Sequence, residues 1–415
     1  MLPPTFDGAA GEWKSGWRLV MAAAAGMSVA PLMMYTMGIF IQPLEQEFGW
    51  TRAAITSGLS VYAAISVLFS SIVGMVIDRI GPRRIAIVGV VGFVVAFGML
   101  ATINGSMWQW WTNWFAISLA AVLLKATVWV SAVTGHFDRA RGMALALTLS
   151  GSSITAIAGP TFGGWLIEHY GWRVAYFGIA GTWAFVSLPL LIAYFHGVTE
   201  TKSMSGIAVS SNTISSEVTQ RGIRDSLLSS RFIKLAIACV MSYFVIIGSI
   251  VNMVPIISAD GLAPSEAASV VGALGVASFG GRLLAGYWLD HYSATSFGTI
   301  VFALPAAACL ILLYAEITWL NAVIIVVIFG VATGVEVEIA SFITAKTFGT
   351  RNFGVLFGTI VGLLGISSGL APITFGHIYD KFGSYDPAIL MSLPLSVIAG
   401  MLIASLRNAP VICAH

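Results

Sequence analysis

Apolar runs recur along the chain from near Trp17 to about Ser405, separated by short polar intervals. A helix needs roughly 20 such residues to cross about 30 Å of hydrocarbon. That ruler predicts twelve spans, at about 17–41, 54–77, 85–104, 108–132, 143–166, 173–195, 232–257, 266–289, 295–315, 319–343, 354–376 and 384–405. The third and fourth are separated only by the Asn104-Gly105-Ser106 turn. Each span must be helical, because lipid offers backbone N–H and C=O groups no partner. The longest polar interval, 197–231, is rich in Ser, Thr and charge and divides the chain into six spans and six. The predicted organisation is an N-terminal six-helix bundle at 1–196, a cytoplasmic linker at 197–231 and a C-terminal six-helix bundle at 232–415. The predicted fold class is an all-α polytopic membrane protein, with twelve transmembrane helices in two pseudo-symmetric bundles.

Charge orients these spans. With both termini in the cytoplasm, fifteen of the twenty Lys and Arg residues fall on the inner side, Arg52, Arg173 and Lys381 fall outside, and Lys125 and Arg282 lie within spans. This bias follows the positive-inside rule. Composition agrees: 58% of residues are hydrophobic and 9% charged, against about 25% charged in a soluble domain. The 44 glycines suit membrane helices, where small residues allow close backbone approach. A net charge of +2 without a basic stripe argues against nucleic-acid binding. Cys239, Cys309 and Cys413 have neither metal-ligand nor disulfide-framework spacing, and neither metal nor cofactor is expected. Residues 1–16 are too mixed for a signal peptide, so the first apolar segment is expected to be a retained span. Short loops and the lack of a secretory leader fit a bacterial inner membrane.

The two halves echo one another. Span two ends Gly74-x-x-x-Asp78-Arg79-x-Gly81-x-Arg83-Arg84, and span eight ends Gly286-x-x-x-Asp290. Equivalent motifs in two six-span halves indicate an internal repeat. The first copy resembles the loop signature of the major facilitator superfamily. Gly151, Gly159-Pro160 and Gly163-Gly164 resemble its span-five glycine–proline pattern. That resemblance implies two six-helix bundles rocking about a central substrate site, with cytoplasmic charge networks holding the outward-open state. Further features are similar to monocarboxylate transporters and their bacterial oxalate–formate-antiporter-like relatives. These are Gly16-Trp17, Phe137 to Gly142, Gly171-Trp172-Arg173, Arg282 with Gly286, and Phe348-Gly349. Departures are visible too. Ser278 replaces an acidic residue one turn before the span-eight arginine, and the animal members' span-one lysine aligns near Thr36.

A charge near the bilayer centre costs at least about 2.5 kcal/mol on insertion scales, so it needs a partner or an aqueous cavity. Lys125, Arg282, Glu336 and Glu338 are the candidates. Ser278, Arg282 and Gly286 share one helix face. Arg282 reads either as a cavity-facing cation or as a structural ion pair with Asp290 or a span-ten glutamate. Its planar donor fork suits a carboxylate ligand, and it matches the related transporters' span-eight arginine. Lys125 reads either as a second cation or proton-responsive group, or as an interhelical partner. Glu336 and Glu338 are about 200° apart on a helix, so they cannot share a face. One of them is a proton-coupling candidate. Asp78, Arg79, Arg83 and Arg84 read as a cytoplasmic gate, with Asp290 in a weaker second copy. Tyr35, Tyr62, Trp129, Tyr243, Asn252 and Ser368 are neutral cavity candidates, each equally readable as packing. Trp108, Trp110, Trp111 and Trp114 read as an aromatic belt, and Pro31, Pro160, Pro255 and Pro372 as kinks.

The expected function is secondary active transport of a small organic monocarboxylate, coupled to protons, by alternating access. The alternatives are exchange of organic anions, including dicarboxylates, and a non-transporting sensor. An enzyme is disfavoured because the six histidines are scattered over loops and ends, and an ATP-driven pump because no Gly-rich phosphate loop with lysine occurs. The expected partners are the acid, protons and the bilayer. The sequence does not fix an oligomeric state.

Overall fold

The computed structural model describes residues 9–137, 140–195, 225–259, 261–291, 293–348 and 353–406, with side chains placed except at 9–10, 70–79, 286–287 and 289–291. Among these residues the fold is wholly helical. The helices are α1 Ala9–Met27, α2 Leu32–Tyr35, α3 Met37–Phe48, α4 Arg52–Ile80, α5 Pro82–Met99, α6 Met107–Val122, α7 Ala126–Thr134, α8 Arg141–Leu149, α9 Gly151–Tyr170 and α10 Trp172–Tyr194. They continue as α11 Ser230–Ala259, α12 Pro264–His291, α13 Ala294–Tyr314, α14 Trp319–Phe348, α15 Phe353–Phe382 and α16 Asp386–Ala404. Eleven stretches of described helix are long and apolar enough to cross a membrane. The predicted linker lies outside the described residues as far as 224, as does Cys413.

Span one differs from the uninterrupted helix predicted over 17–41. It is built from α1, α2 and α3, parted at 28–31, where Pro31 begins a new turn, and again at Thr36. The freed polar groups find partners on neighbouring helices, as membrane burial requires. Trp183 Nε1 donates to Ser28 Oγ at 3.2 Å, Ser187 Oγ donates to the Ala25 carbonyl at 3.0 Å, and the Thr155 hydroxyl donates to the Ser28 carbonyl. The tryptophan belt also divides. Trp108 and Trp111 face outward, whereas Trp110 and Trp114, one turn apart, are buried at 0% and 1% exposure. The 3.6-residue period decides this, since 110 and 114 share the inward face.

Contacts group the chain into two compact units, Met1–Thr36 with Ala64–Ile207, and Met37–Ala63 with Ala208–His415. In the first, Phe93 and Phe97 of α5 pack with Tyr176 of α10, and Gly151 sits against the backbone of Ala24 and the side chain of Met27. Three motifs gain a structural reason here. Gly16 leaves space for the ring of Phe137, which also packs on Trp13. Gly171, at φ +81°, is both the end of α9 and the start of α10. Arg173 stacks on Trp172 at 4.2 Å and donates to the Ile103 carbonyl.

The second unit is organised by helix crossings at glycine. Gly330 faces Leu274 and Ala277, Gly334 faces the backbone of Ser278, and Gly281 faces Val331. With no hydrophobic drive between helices in lipid, such close approach supplies the attraction. Its apolar core includes Phe232, Leu235 and Cys239 of α11, Phe302 of α13 and Ile339 of α14.

Candidate functional site

The α12–α14 crossing has a regular register. Leu274 meets Gly330 and Ser278 meets Gly334, each pair one turn beyond the last, so the helices run parallel there. One further turn on each brings Arg282 and Glu338 together, with Nε and Oε1 3.6 Å apart. Their side chains keep 24% and 39% exposure, although Arg282 Nε itself is buried. Ser278 is itself 1% exposed, spent on the crossing.

Glu336 turns the other way, as the spacing requires. It is 1% exposed, and the Ser242 hydroxyl of α11 lies beside it without reaching hydrogen-bond geometry. Both Glu336 oxygens and Ser242 Oγ thus lack a hydrogen-bond partner. The two glutamates are separated in kind: one pairs with a cation at an accessible edge, and the other is an enclosed acid between α11 and α14.

Lys125 lies where span four breaks. Helix α6 ends at Val122, and Lys125, in extended conformation at φ −60° and ψ 154°, precedes α7. A half-helix start deep in a span points N–H groups and a positive dipole end at its surroundings. Trp129 Nε1 donates to the freed Leu124 carbonyl at 3.0 Å. Its ring is fully buried and packed against Gly26. This tryptophan therefore staples the break.

The remaining candidates are dispersed. Tyr35 and Thr36 end α2, with Thr36 1% exposed and donating to the Leu32 carbonyl at 2.7 Å. Tyr62 on α4 and Tyr243 on α11 are half-buried. Ser368 on α15 donates to the Gly365 carbonyl at 2.7 Å. Asn252 is fully buried, donating to the Gly248 carbonyl at 2.8 Å and accepting from Tyr385 Oη at 3.1 Å. Of the residues expected to form a gate, Arg83 donates to the Ile192 carbonyl at 2.7 Å, near the end of α10, and Arg84 is exposed. The side chains of Asp78, Arg79 and Asp290 lie outside the described residues. Among the described residues no His, Cys, Asp or Glu cluster fit for a metal occurs.

Two groups escaped the sequence reading. Glu12, 8% exposed, accepts from the Ala140 amide at 3.0 Å and so ties α1 to the loop before α8. Arg52 is 8% exposed within a polar cluster drawn from four places in the chain. No local pattern signals the Ala140 or Tyr385 contact, since these partners lie 128 and more than 300 residues away.

The family profile of the Major Facilitator Superfamily matches residues 22–372. Monocarboxylate transporter 13 of Bos taurus is 25% identical over 166 residues, which is 40% of this chain and 38% of that protein. The match therefore spans about two fifths of that relative's length. The 3-(3-hydroxy-phenyl)propionate transporter of Escherichia coli is 24% identical over 274 residues, covering 65% and 62%. Among solved structures, a D-xylose-proton symporter superposes with a TM-score of 0.76 at 13% identity, covering 96% of this chain and 98% of the other. That identity speaks to fold alone. Since the profile runs through most of the chain and the helical architecture agrees, the chain belongs to the Major Facilitator Superfamily.

Proposed function

We propose that the protein is a secondary active transporter of a small organic monocarboxylate, coupled to protons and working by alternating access. The observation that carries this reading is the Arg282–Glu338 pair, a partly exposed cation inside a membrane span with a carboxylate beside it. An incoming carboxylate takes the guanidinium's donor fork and displaces Glu338, which accepts a proton. One anion and one proton then cross together, and the loaded and empty carriers have equal net charge. The enclosed Glu336 is not needed for that exchange of partners. Relatives whose names specify monocarboxylates and a phenylpropionate support an acid as the substrate class. The Lys and Arg bias supports cytoplasmic termini in a bacterial inner membrane, with 197–231 joining two six-span halves.

Exchange of organic anions is the second reading. Lys125 at the broken span supports it, because a second cation favours a dicarboxylate or an obligatory return load. The deciding experiment is uptake of labelled acids into proteoliposomes, with and without an inward proton gradient. The acids span short aliphatic, aromatic and dicarboxylic types. Gradient-stimulated uptake of one class is the expected result. Uptake only into anion-preloaded vesicles establishes exchange, and silence across all acids refutes the proposal.

A further inference from the structure

Residues Met37–Ala63 precede the long polar interval by more than 130 positions, yet they pack with Ala208–His415. Besides the packing of Gly38 on Val251 and Pro255 of α11, a polar attachment lies where α3 turns into α4. Arg52 Nε donates to Glu45 Oε2 at 3.1 Å, and Nη1 donates to Tyr385 Oη at 3.0 Å. The guanidinium lies 3.5 Å from the centroid of the Tyr379 ring. Tyr385 passes the link on to Asn252 of α11. Asp380 caps α4, accepting the Arg52 amide at 2.8 Å and the Ala53 amide at 2.9 Å through separate oxygens. A carboxylate at that end also meets the positive end of the helix dipole.

The backbones are close enough for these bonds because Gly376 faces the main chain of Arg52 and Ala53. Further along, Thr56 Oγ1 donates to the Pro372 carbonyl at 3.2 Å and Ser60 Oγ to the Gly369 carbonyl at 2.6 Å. The arginine, both tyrosines and the aspartate are devoted to one another, so this cluster is a joint rather than an open ligand site.

We infer that Arg52, Asp380 and Tyr385 form a releasable latch that closes the non-cytoplasmic entrance by holding the α3–α4 turn on the ends of α11, α15 and α16. The inference rests on the alternating-access reading. Opening outward requires the α3–α4 turn to leave that docking, which breaks the bonds from Arg52, Ala53, Thr56 and Ser60 to Tyr385, Asp380 and the α15 carbonyls, while Arg52–Glu45 and Tyr385–Asn252 stay on their own sides. Its components suit release, since each is a polar link that water can replace at the membrane edge. A hydrophobic seal would offer no such exchange. The latch lies on the side where Arg52 and Lys381 fall in the charge-based orientation, opposite the Asp78–Arg84 loop.

The test uses Ser60→Cys on α4, eight residues and about 12 Å along the helix from Arg52. An impermeant maleimide is applied to right-side-out and to inside-out vesicles, and labelling of the chain without Ser60→Cys is subtracted. Adding Arg52→Ala is expected to raise labelling from the outer side about tenfold and to lower it from the inner side, because several bonds to a charged group are lost together. Tyr385→Phe, which removes only the hydroxyl links, is expected to give about threefold, and Arg52→Lys to restore part of the closure. Unchanged labelling in both variants overturns the latch, and so does a rise from both sides, which marks a structural pin. If Arg52→Ala yields no folded protein, Tyr385→Phe decides alone. No substrate is required, so silence in acid uptake and failure of the latch are separate results.

Discussion

Replacing Glu338 by Gln removes the carboxylate that competes with a substrate for Arg282 and leaves the side-chain volume nearly unchanged. At 3.6 Å the bare attraction at an effective dielectric constant near 20 is about 4–5 kcal/mol. Both side chains are partly open to solvent, and pairs of that kind retain only about 1 kcal/mol after screening and desolvation. Freed of this competitor, Arg282 is expected to bind the acid about fivefold more tightly. Titration of the purified protein with the transported acid, followed by calorimetry, measures the change directly. Arg282→Ala is the reference and should abolish the heat of binding. In vesicles, Glu338→Gln should also lose stimulation by the proton gradient, since the displaced carboxylate is gone. Weaker binding in Glu338→Gln would refute the reasoning, because it would make Glu338 a ligand of the substrate instead of its rival.

Two further outcomes separate the other buried groups. Glu336→Gln is expected to retain gradient-stimulated uptake, as an enclosed acid beside Ser242 has no part in the exchange of partners at Arg282; loss of stimulation in reconstituted vesicles would move the coupling role to it. Trp129→Phe and Trp114→Phe remove equal volume at fully buried positions, but only Trp129 satisfies the Leu124 carbonyl, whereas Trp114 Nε1 has no hydrogen-bond partner. The first should be less stable than the second by about 1–3 kcal/mol in detergent unfolding followed by circular dichroism, and equal midpoints would remove the staple from the account of span four.

What the sequence reveals depends on the range of the interaction. Length and hydropathy mark the spans because each must satisfy its own backbone within about 20 residues. The break at Pro31 has a local cause in a residue that lacks an N–H. The break at Leu123 to Lys125 has none, since Leu-Leu-Lys reads as ordinary helix; it becomes tenable when an indole one turn ahead supplies the missing donor. The opposed directions of Glu336 and Glu338 follow from 3.6-residue geometry. Which of them meets Arg282 does not, because a neighbouring helix in another register would select the other. The polar joint at Arg52 is less legible still: a lone arginine at a span entrance looks like an interfacial anchor until residues more than 300 positions away enclose it.

Glycine placement connects these levels. In water a helix pair is drawn together by apolar area; in lipid that drive is absent, and contact distance decides which side chains meet. On α14 the glycines at 330 and 334 fix the register against α12, and the next turn holds Glu338 opposite Arg282. On α15 Gly369 and Gly376 set α4 close enough for Asp380 to cap it and for Arg52 to reach Tyr385. In both places close approach by small residues precedes the polar contact, and the costly charge is held one turn beyond it or at the helix end. The same economy explains why the two charged pairs differ in fate. Arg282, paired with Glu338, is left partly open, as a guanidinium that must trade partners requires. Arg52 is enclosed by a carboxylate, two aromatic rings and a capped helix start, as suits a contact that forms and breaks as a unit.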